Sequence, residues 1–562
     1  MKYHLVTLLG LLFAFSLRAQ SNPTASDGTP ANKETCSVSG IVVRQDTGEP
    51  LIKAKVALVT HEKWEDSVFD LSDSQGHFLL DELPCGAYSL SASHPGFVEM
   101  SYGQRKPNDP GALLTLAPGQ KMTGLVFKLQ RTAVVTGRVF DENGESVRGA
   151  LVRVLRATGH GKQQNTREAG TCATNDLGEY RIYDLIPGRY YVAVSYDPWS
   201  FREGFDAKPR RRLLKKGYPV MFYPNITDPS KALTLILNPG DELRAIDFRM
   251  ELVTMNTVSG KILNPPAENA MRGTIGISVV QRGSPLLGYN SIETRTLAKD
   301  GSFALNWVPP GSYSLRASYM DRDTKEWAWA SRQLEVTDAD AEGITLAFAP
   351  LIALRGRVIW EGSKKPDLSS FTVFLSPTDG ESPNTRGQEV KPDGSFLFRA
   401  VNEGDYRPLI HNPDTNCYIK SARTGTTPMV DGKFAIHLGA DNSLELLVGC
   451  RAAQVDGRVL TSDSLPAIGV FVVLVPEPPF RQESSDYQDT RTDQNGHFFL
   501  KGIVPGDYEL FSWDAVEWDD WRDADFLKPY EGKGVSIRLE EGDHKTIDLN
   551  LIETSTESPS KP

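Results

Sequence analysis

Short runs of alternating apolar and polar residues recur along this chain, separated by segments rich in glycine, proline and asparagine. Residues 88–93 read Tyr-Ser-Leu-Ser-Ala-Ser, and residues 313–318 read Tyr-Ser-Leu-Arg-Ala-Ser. Because side chains of a β-strand alternate between its two faces, this period of two predicts strands with one buried face. Apolar residues at helical spacing do not recur over comparable lengths. The pattern therefore predicts an all-β protein with many short strands.

Two glycine-centred turns occur together five times, and the paired glycines are ten residues apart in every copy. The first turn contains Asp, Gly and an aromatic residue: Asp73–Gly76–Phe78, Asp176–Gly178–Tyr180, Asp300–Gly301–Phe303, Asp393–Gly394–Phe396 and Asp493–Gly496–Phe498. The second turn reads Gly-x-Tyr: Gly86–Tyr88, Gly188–Tyr190, Gly311–Tyr313, Gly404–Tyr406 and Gly506–Tyr508. Since Asp and Gly suit tight turns with positive φ, each copy predicts one strand between the turns and another after them.

A strand that starts at a glycine opens each copy, at Gly40, Gly137, Gly260, Gly356 and Gly457. These glycines are 96 to 123 residues apart, about the length of one β-sandwich. We therefore predict an all-β tandem array of five immunoglobulin-like β-sandwich domains. The predicted domains cover residues 33–130, 131–253 (with a long loop at 199–223), 254–350, 351–449 and 450–553. In the divergent fourth copy, Pro408 interrupts the alternation, which predicts a last strand that is short or at an edge.

The N-terminus has the features of an export signal. Lys2 carries a positive charge, residues 5–17 are apolar but too few to span a bilayer, and Ala19 suits cleavage. We predict a signal peptide at 1–19, a linker at 20–32 and a disordered tail at 554–562; the alternative for the first segment is a buried strand or helix. The first cysteine is Cys36, so no lipid anchor is expected at the cleavage site. The expected location is secreted, periplasmic or cell-surface, without a transmembrane span in the mature chain.

The repeated motif resembles the carboxypeptidase regulatory-like domain. The shared pattern is Gly-x-Val, then Asp-x-x-Gly-x-Phe, then Leu-x-Pro-Gly-x-Tyr, and the resemblance extends over residues 36–552. It implies a transthyretin-like sandwich, a fold often grouped with carbohydrate-binding-like and Cna protein B-type domains. The family also occurs in arrays on exported bacterial proteins. The resemblance implies a fold and does not fix a function.

Charge and motifs argue against several classes of function. Lys and Arg total 61 against 72 Asp and Glu, a net charge of −11, whereas nucleic-acid binding requires clustered positive charge. A basic run at 208–216 is predicted to be a solvated loop or a partner of the acidic fifth domain, with an acidic polysaccharide or membrane surface as the alternative. None of the nine histidines has Glu three residues later, and HExxH, CxxC, GxSxG and P-loop motifs do not occur. We predict no catalytic residues, no metal site and no enzymatic activity.

Five cysteines in an exported chain predict up to two disulfides. Cys36 can pair with Cys85 in the first domain and Cys417 with Cys450 in the fourth, which leaves Cys172 unpaired. The alternative is five free, partly buried thiols.

Two groups of tryptophans are candidates for ligand contact. Exposed indoles stack on sugar rings and carboxylates accept hydrogen bonds from hydroxyls, which suits a carbohydrate platform. The predicted carbohydrate-binding residues are Trp327, Trp329, Trp513, Trp518, Trp521, Asp519 and Asp520. Two alternatives remain: the tryptophans close the open ends of sandwiches or the spaces between domains, and the acidic segment around Asp519 holds Ca²⁺ through oxygen ligands. No other cofactor is expected.

We expect an exported, non-catalytic binding protein that is carbohydrate-binding or adhesive at the cell envelope. The alternative is a structural spacer or a protein-interaction scaffold of an outer-membrane or secreted complex. The first hypothesis predicts exposed, coplanar indoles, and the second predicts exposed sheet edges or an apolar patch without glycan affinity. The expected partners are a polysaccharide or an envelope protein, and not nucleic acid.

Overall fold

A computed structural model describes residues 35–60, 67–107, 109, 111–158, 165–196, 215–265, 275–282, 291–294, 300–320, 327–362, 366–378, 384–412, 416–478, 481, 487–514, 516 and 520–554. Within these ranges the chain is almost entirely strand and forms five successive β-sandwiches, which confirms the predicted all-β tandem array. The predicted signal peptide and linker, most of the basic run and nearly all of the tail lie outside the described residues. No helix in the described ranges has the length and apolar character needed to cross a membrane.

The first two sandwiches contain strands β1 to β19. In the first they are β1 (Cys36–Arg44), β2 (Lys55–Thr60), β3 (Ser67–Leu71), β4 (His77–Leu83), β5 (Ala87–Ser93), β6 (Met100–Ser101), β7 (Leu114–Thr115) and β8 (Lys121–Leu129). In the second they are β9 (Ala133–Phe140), β10 (Leu151–Thr158), β11 (Asn165–Ala173), β12 (Glu179–Leu185), β13 (Gly188–Ser195), β14 (Lys216–Gly217), β15 (Met221–Phe222), β16 (Leu235–Leu237), β17 (Glu242–Leu243), β18 (Phe248–Arg249) and β19 (Val253–Thr254), with a 3₁₀ turn at Pro229–Lys231.

The third and fourth sandwiches contain strands β20 to β35. In the third they are β20 (Asn256–Leu263), β21 (Ile275–Gln281), β22 (Ser291–Thr294), β23 (Ser302–Val308), β24 (Gly311–Met320), β25 (Trp327–Val336) and β26 (Ala341–Ala347). In the fourth they are β27 (Ile352–Trp360), β28 (Thr372–Pro377), β29 (Gln388–Glu389), β30 (Ser395–Val401), β31 (Gly404–His411), β32 (Tyr418–Thr424), β33 (Thr427–Pro428), β34 (Phe434–Ile436) and β35 (Leu444–Gly449), with a 3₁₀ turn at Leu368–Ser370.

The fifth sandwich differs from the others by a short helical segment. Its strands are β36 (Ala453–Leu460), β37 (Phe471–Pro476), β38 (Gln488–Arg491), β39 (His497–Ile503), β40 (Gly506–Trp513), β41 (Val535–Leu539), β42 (His544–Thr546) and β43 (Leu549–Asn550). Between β40 and β41 lie the helix α1 (Ala524–Leu527) and 3₁₀ turns at Asp520–Arg522 and Lys528–Tyr530.

All five domains share one arrangement of their first sheet. The opening strand lies between the antiparallel strand that follows the first turn and a parallel closing strand, as in the order β4-β1-β8. The second sheet is antiparallel, as in the order β3-β2-β5-β6. Apolar side chains of the two sheets meet in separate cores, which draw their buried residues from 36–129, 133–250, 258–348, 352–448 and 453–549.

In four of the five domains the opening glycine is required by the closing segment beside it, whereas a Cβ atom on Gly356 would overlap the ring of Phe396. A Cβ atom on Gly457 would overlap the carbonyl oxygen of Ile547, and a Cβ atom on Gly260 would overlap that of Ile344. Only glycine lets the two backbones approach this closely.

In the first, second and fifth domains the first turn is held by a side-chain oxygen that accepts two backbone N–H groups. In the first domain, Oδ1 of Asp73 accepts from Gln75 and His77 at 2.8 Å, and these bonds lower the pKa of Asp73. In the second domain the acceptor is Asn175, whose Oδ1 binds the N–H groups of residues 177 and 179. Asp176 lies in the same turn, between the acceptor Asn175 and Gly178.

The Gly-x-Tyr motif has a common hydrogen bond in all five domains. Each tyrosine hydroxyl donates to the backbone carbonyl four residues earlier: Tyr88 to Pro84, Tyr190 to Ile186, Tyr313 to Pro309, Tyr406 to Asn402 and Tyr508 to Val504. The bond ties the second turn to the strand that follows it, as in the tyrosine corner of immunoglobulin-like sandwiches. Burial raises the pKa of the Tyr313 hydroxyl, which keeps it a neutral donor.

The prediction of a short strand or an edge strand at Pro408 in the fourth domain was wrong. Strand β31 is eight residues long and lies between β28 and β34 in the sheet. Pro408 is opposite Leu375 of β28, past the segment 404–406 that pairs with β34. The N–H that proline lacks is therefore not needed by a neighbouring strand, and the strand continues through it.

Both predicted disulfides are present, between Cys36 and Cys85 and between Cys417 and Cys450. Cys172 is a free, partly buried thiol on β11. In the first domain the bridge joins the start of a first-sheet strand to a turn. In the fourth it joins the residue before β32 to the residue after β35, at one end of that strand pair.

Candidate functional site

Trp327 and Trp329 lie together on β25, the edge strand of the second sheet in the third domain. They are two residues apart, so both side chains project from the same face. The ring centroids are 5.4 Å apart and the ring planes are inclined by 15°, which makes the pair a stack rather than a side-by-side surface. Trp327 is 44% exposed, so the stack is accessible to solvent from its outer side.

The stack forms one wall of a cleft whose opposite wall belongs to the fourth domain. The space within the cleft is about 440 Å³, a volume that includes space open to solvent. The fourth-domain residues that line it are Pro377, Asn384, Thr385, Arg386, Gln388, Phe398, Ala400, Val401, Asn402 and Tyr406. The site therefore combines aromatic faces with amide and hydroxyl groups.

Asn402 is the most informative polar residue in this cleft. Its side-chain Oδ1 is buried and has no hydrogen-bond partner among the described residues. Its backbone carbonyl accepts the hydroxyl of Tyr406 at 3.0 Å, so the second turn of the fourth domain fixes its position. A buried acceptor without a partner is costly, and a ligand hydroxyl in the cleft would remove that cost.

The sequence predicted tryptophans beside carboxylates, but the charged side chain in this cleft is an arginine. Arg386 is the only charged side chain among the described lining residues, and none of them is a carboxylate. The polar groups that line the cleft are therefore amides, hydroxyls and one guanidinium.

The structure removes Trp513 and Trp521 from the candidate carbohydrate-binding residues. Their exposed fractions are 1% and 0%, so neither indole offers a face to solvent. Trp521 packs on Phe471 with ring centroids 4.8 Å apart, and Trp513 stacks on Phe511 at 5.0 Å. Asp520, proposed as a hydroxyl acceptor, is also buried. Trp518 and Asp519 lie outside the described residues, and their predicted role stays a prediction.

These tryptophans are buried because the segment after β40 folds over the outer face of the second sheet. It forms a second apolar cluster with Phe471, Val473 and Val475 of β37. Every residue of β37 is buried, in agreement with its uninterrupted sequence Phe-Val-Val-Leu-Val-Pro. A strand without alternation indicates burial on both faces, and this was the signal for a cover over the sheet.

The acidic residues of the same segment mostly serve local structure. Asp514 accepts the N–H and the hydroxyl of Thr554, each at 2.8 Å, and Asp523 caps α1 by accepting the N–H of Asp525 at 2.9 Å. In the described part of the chain, no three His, Cys, Asp or Glu side chains are grouped to hold a metal ion. The predicted Ca²⁺ site, which includes residues beyond that part, stays a prediction.

Comparison with known proteins gives one relative and several distant structural resemblances. The chain is 30% identical over 113 residues to the protocatechuate 3,4-dioxygenase beta chain of Burkholderia cepacia; the match covers 16% of this chain and 48% of that one, so this chain spans about half the length of that relative. The TIE protein of Bacillus anthracis is 12% identical with a TM-score of 0.16, over 56% of this chain and 50% of that protein. Two B repeats of the collagen-binding protein of Staphylococcus aureus are 12% identical with a TM-score of 0.12, over 74% and 100%.

Two of the segments that carry the turns, opening glycines and tyrosine hydrogen bonds described above also match a known domain family. Residues 37–130 and 134–203 match the carboxypeptidase regulatory-like domain. The first domain and most of the second are therefore similar to the carboxypeptidase regulatory-like domain family.

Proposed function

We propose that this chain is an exported, non-catalytic binding protein whose cleft at Trp327 and Trp329 holds a segment of a polysaccharide. The observation that supports it most directly is the conjunction of a solvent-accessible indole stack with an unpartnered acceptor on Asn402. The match to the dioxygenase beta chain covers only 16% of this chain and does not support a catalytic function.

A sugar is a suitable occupant because its surface has two kinds of contact. The C–H face of a pyranose ring packs on an aromatic face, and the hydroxyls at the ring edge exchange hydrogen bonds with amides. The indole of Trp327 supplies the aromatic face. Asn384, Gln388 and Asn402 line the same cleft and supply amide donors and acceptors.

Replacing both indoles, as Trp327→Ala/Trp329→Ala, is expected to weaken binding to a retained polysaccharide by about tenfold or more, which corresponds to about 1.4 kcal/mol. The measurement is affinity electrophoresis and pull-down of the mature chain on a panel of soluble and insoluble polysaccharides. Tyr183→Ala/Phe499→Ala is the matched control, because both aromatic side chains are exposed and lie in other domains. Equal loss in the control, or binding by the wild type that the cleft variant retains, would refute the assignment of the site.

Asn402→Ala provides a separate test of the polar half of the site. We expect weaker polysaccharide binding with an unchanged or slightly higher free energy of unfolding, because the deleted oxygen has no hydrogen-bond partner in the part of the chain that the structure describes. The backbone carbonyl that receives the Tyr406 hydroxyl is retained in this variant. Calorimetric titration and chemical denaturation measure the two quantities; a stability loss without an affinity loss would make Asn402 a structural residue only.

Failure of the wild type to bind any polysaccharide of the panel would favour the scaffold hypothesis. The search would then turn to an envelope protein as the partner.

A further inference from the structure

The fifth domain contacts the first, although the contacting residues are 379 positions apart in the chain. The side-chain amide of Gln494 forms two hydrogen bonds with the backbone of Thr115. Its Nε2 donates to the Thr115 carbonyl at 3.0 Å, and its Oε1 accepts the Thr115 N–H at 3.1 Å. Gln494 lies in the first turn of its domain, and Thr115 ends β7, so a turn of one domain docks on a strand of the other.

Arg491 is the centre of this contact. Its guanidinium is 3.6 Å from the Asp109 carboxylate, and the two side chains are 12% and 10% exposed. It also donates to the carbonyl of Gly469 at 2.9 Å and lies over the Phe471 ring at 3.6 Å. Burial lowers the pKa of Arg491 and the Asp109 carboxylate opposes that change. Removing either charge would leave the other buried without its partner, which is strongly unfavourable.

The backbones of the two domains also fit closely. A Cβ atom on Gly469 would overlap the carbonyl oxygen of Gly103, and Gly469 has a φ of 67°. The Cγ2 atom of Ile468 would lie 3.2 Å from a Cβ atom on Gly103 of the first domain. The contact thus combines a steric fit, a paired amide and a largely buried ion pair, which together make it specific.

We propose that this contact is an exchangeable docking interface whose second partner is another copy of this chain. The two surfaces differ from each other, so the fifth domain of one copy can dock on the first domain of another in the same way as within one chain. Such a heterologous interface closes as a ring of copies or continues as a filament. Within one chain the tether gives a high effective concentration, so the closed monomer dominates at low protein concentration.

Opening the closed chain requires successive domains to move relative to one another. At the junction of the second and third domains, for example, Lys215 and Asp340 form an ion pair at 3.5 Å in which the lysine side chain is 76% exposed. Exposed ion pairs of this kind contribute little to stability. An opened chain exposes the docking surfaces of both its first and its fifth domain. Two opened chains can pair these four surfaces in two contacts between the chains.

Complementary charge variants test the proposal. Arg491→Glu and Asp109→Lys each place like charges in the closed contact, so each variant alone should be a monomer with a larger hydrodynamic radius than the wild type. In an equimolar mixture, Arg491 of one chain meets Asp109 of the other, and the two substituted side chains face each other with opposite charges. We expect the mixture to form a dimer by sedimentation velocity across a dilution series. The double variant Arg491→Glu/Asp109→Lys, in which the pair is reversed within one chain, should return to a compact monomer.

A mixture that stays monomeric over the whole series, with both variants folded by circular dichroism, would overturn the proposal. If a charge variant fails to fold, Thr115→Cys and Gln494→Cys on separate chains replace it. An interchain disulfide that forms between these two variants, and not between two copies of Thr115→Cys, supports exchange; its absence under oxidising conditions overturns it.

Discussion

Trp521→Ala is expected to lower the free energy of unfolding of the fifth domain by about 3–5 kcal/mol, because it removes a large, fully buried side chain and leaves a cavity. The loss should be concentrated in the cover over the second sheet. Hydrogen exchange of backbone amides in β37 and β40 would accelerate, while exchange in the first four domains would stay as in the wild type. Denaturant unfolding followed by fluorescence measures the accompanying shift of the fifth-domain transition.

Trp327→Ala is the control for this prediction. Its indole is partly exposed, and we expect a stability change of about 1 kcal/mol or less. Equal destabilisation by the two substitutions, or polysaccharide binding that depends on Trp521 in a folded variant, would contradict the placement of Trp521 in the core.

Removing the first disulfide, as Cys36→Ser/Cys85→Ser, is expected to cost the first domain about 2–5 kcal/mol of stability. The bridge joins residues 49 positions apart and restricts the unfolded chain, so its loss acts mainly through the unfolded state. Chemical denaturation of the variant beside the oxidised wild type measures the effect, with the bridge verified by mass spectrometry under non-reducing conditions.

Cys172→Ser is the matched control, because Cys172 carries no disulfide. Its stability should remain within about 0.5 kcal/mol of the wild type. A first-domain transition that is the same in the oxidised wild type and the double variant would show that the bridge contributes nothing.

Most of the fold could be predicted from the turn motifs, because each motif meets a local requirement of the backbone. The first turn needs a glycine with positive φ, such as Gly76, and an oxygen acceptor such as Asp73. The tyrosine bond spans only four residues. Local requirements of this kind are visible in a single sequence, and their regular recurrence predicted the sandwiches and the succession of strands along each repeat.

The candidate site was predicted only in part, since it depends on contacts between distant residues. The pair Trp327 and Trp329 was recognised by its two-residue spacing. Arg386 and Asn402 were missed because they come from another domain, and no local pattern marks them. Trp521 was misassigned because a loop tryptophan beside acidic residues has the same sequence whether it meets solvent or covers a sheet. The unbroken apolar run of β37 distinguished the two cases.

The parallel pairing of opening and closing strands has a mechanical consequence. Because β1 and β8 run side by side in the same direction, the chain enters the first domain at one end of the pair and leaves at the other. Tension applied along the chain loads the hydrogen bonds between these strands in shear, all together, instead of separating them one after another. The same holds for β20 with β26 and for β27 with β35. An array of such domains resists stretching at each domain in turn and unfolds in discrete steps.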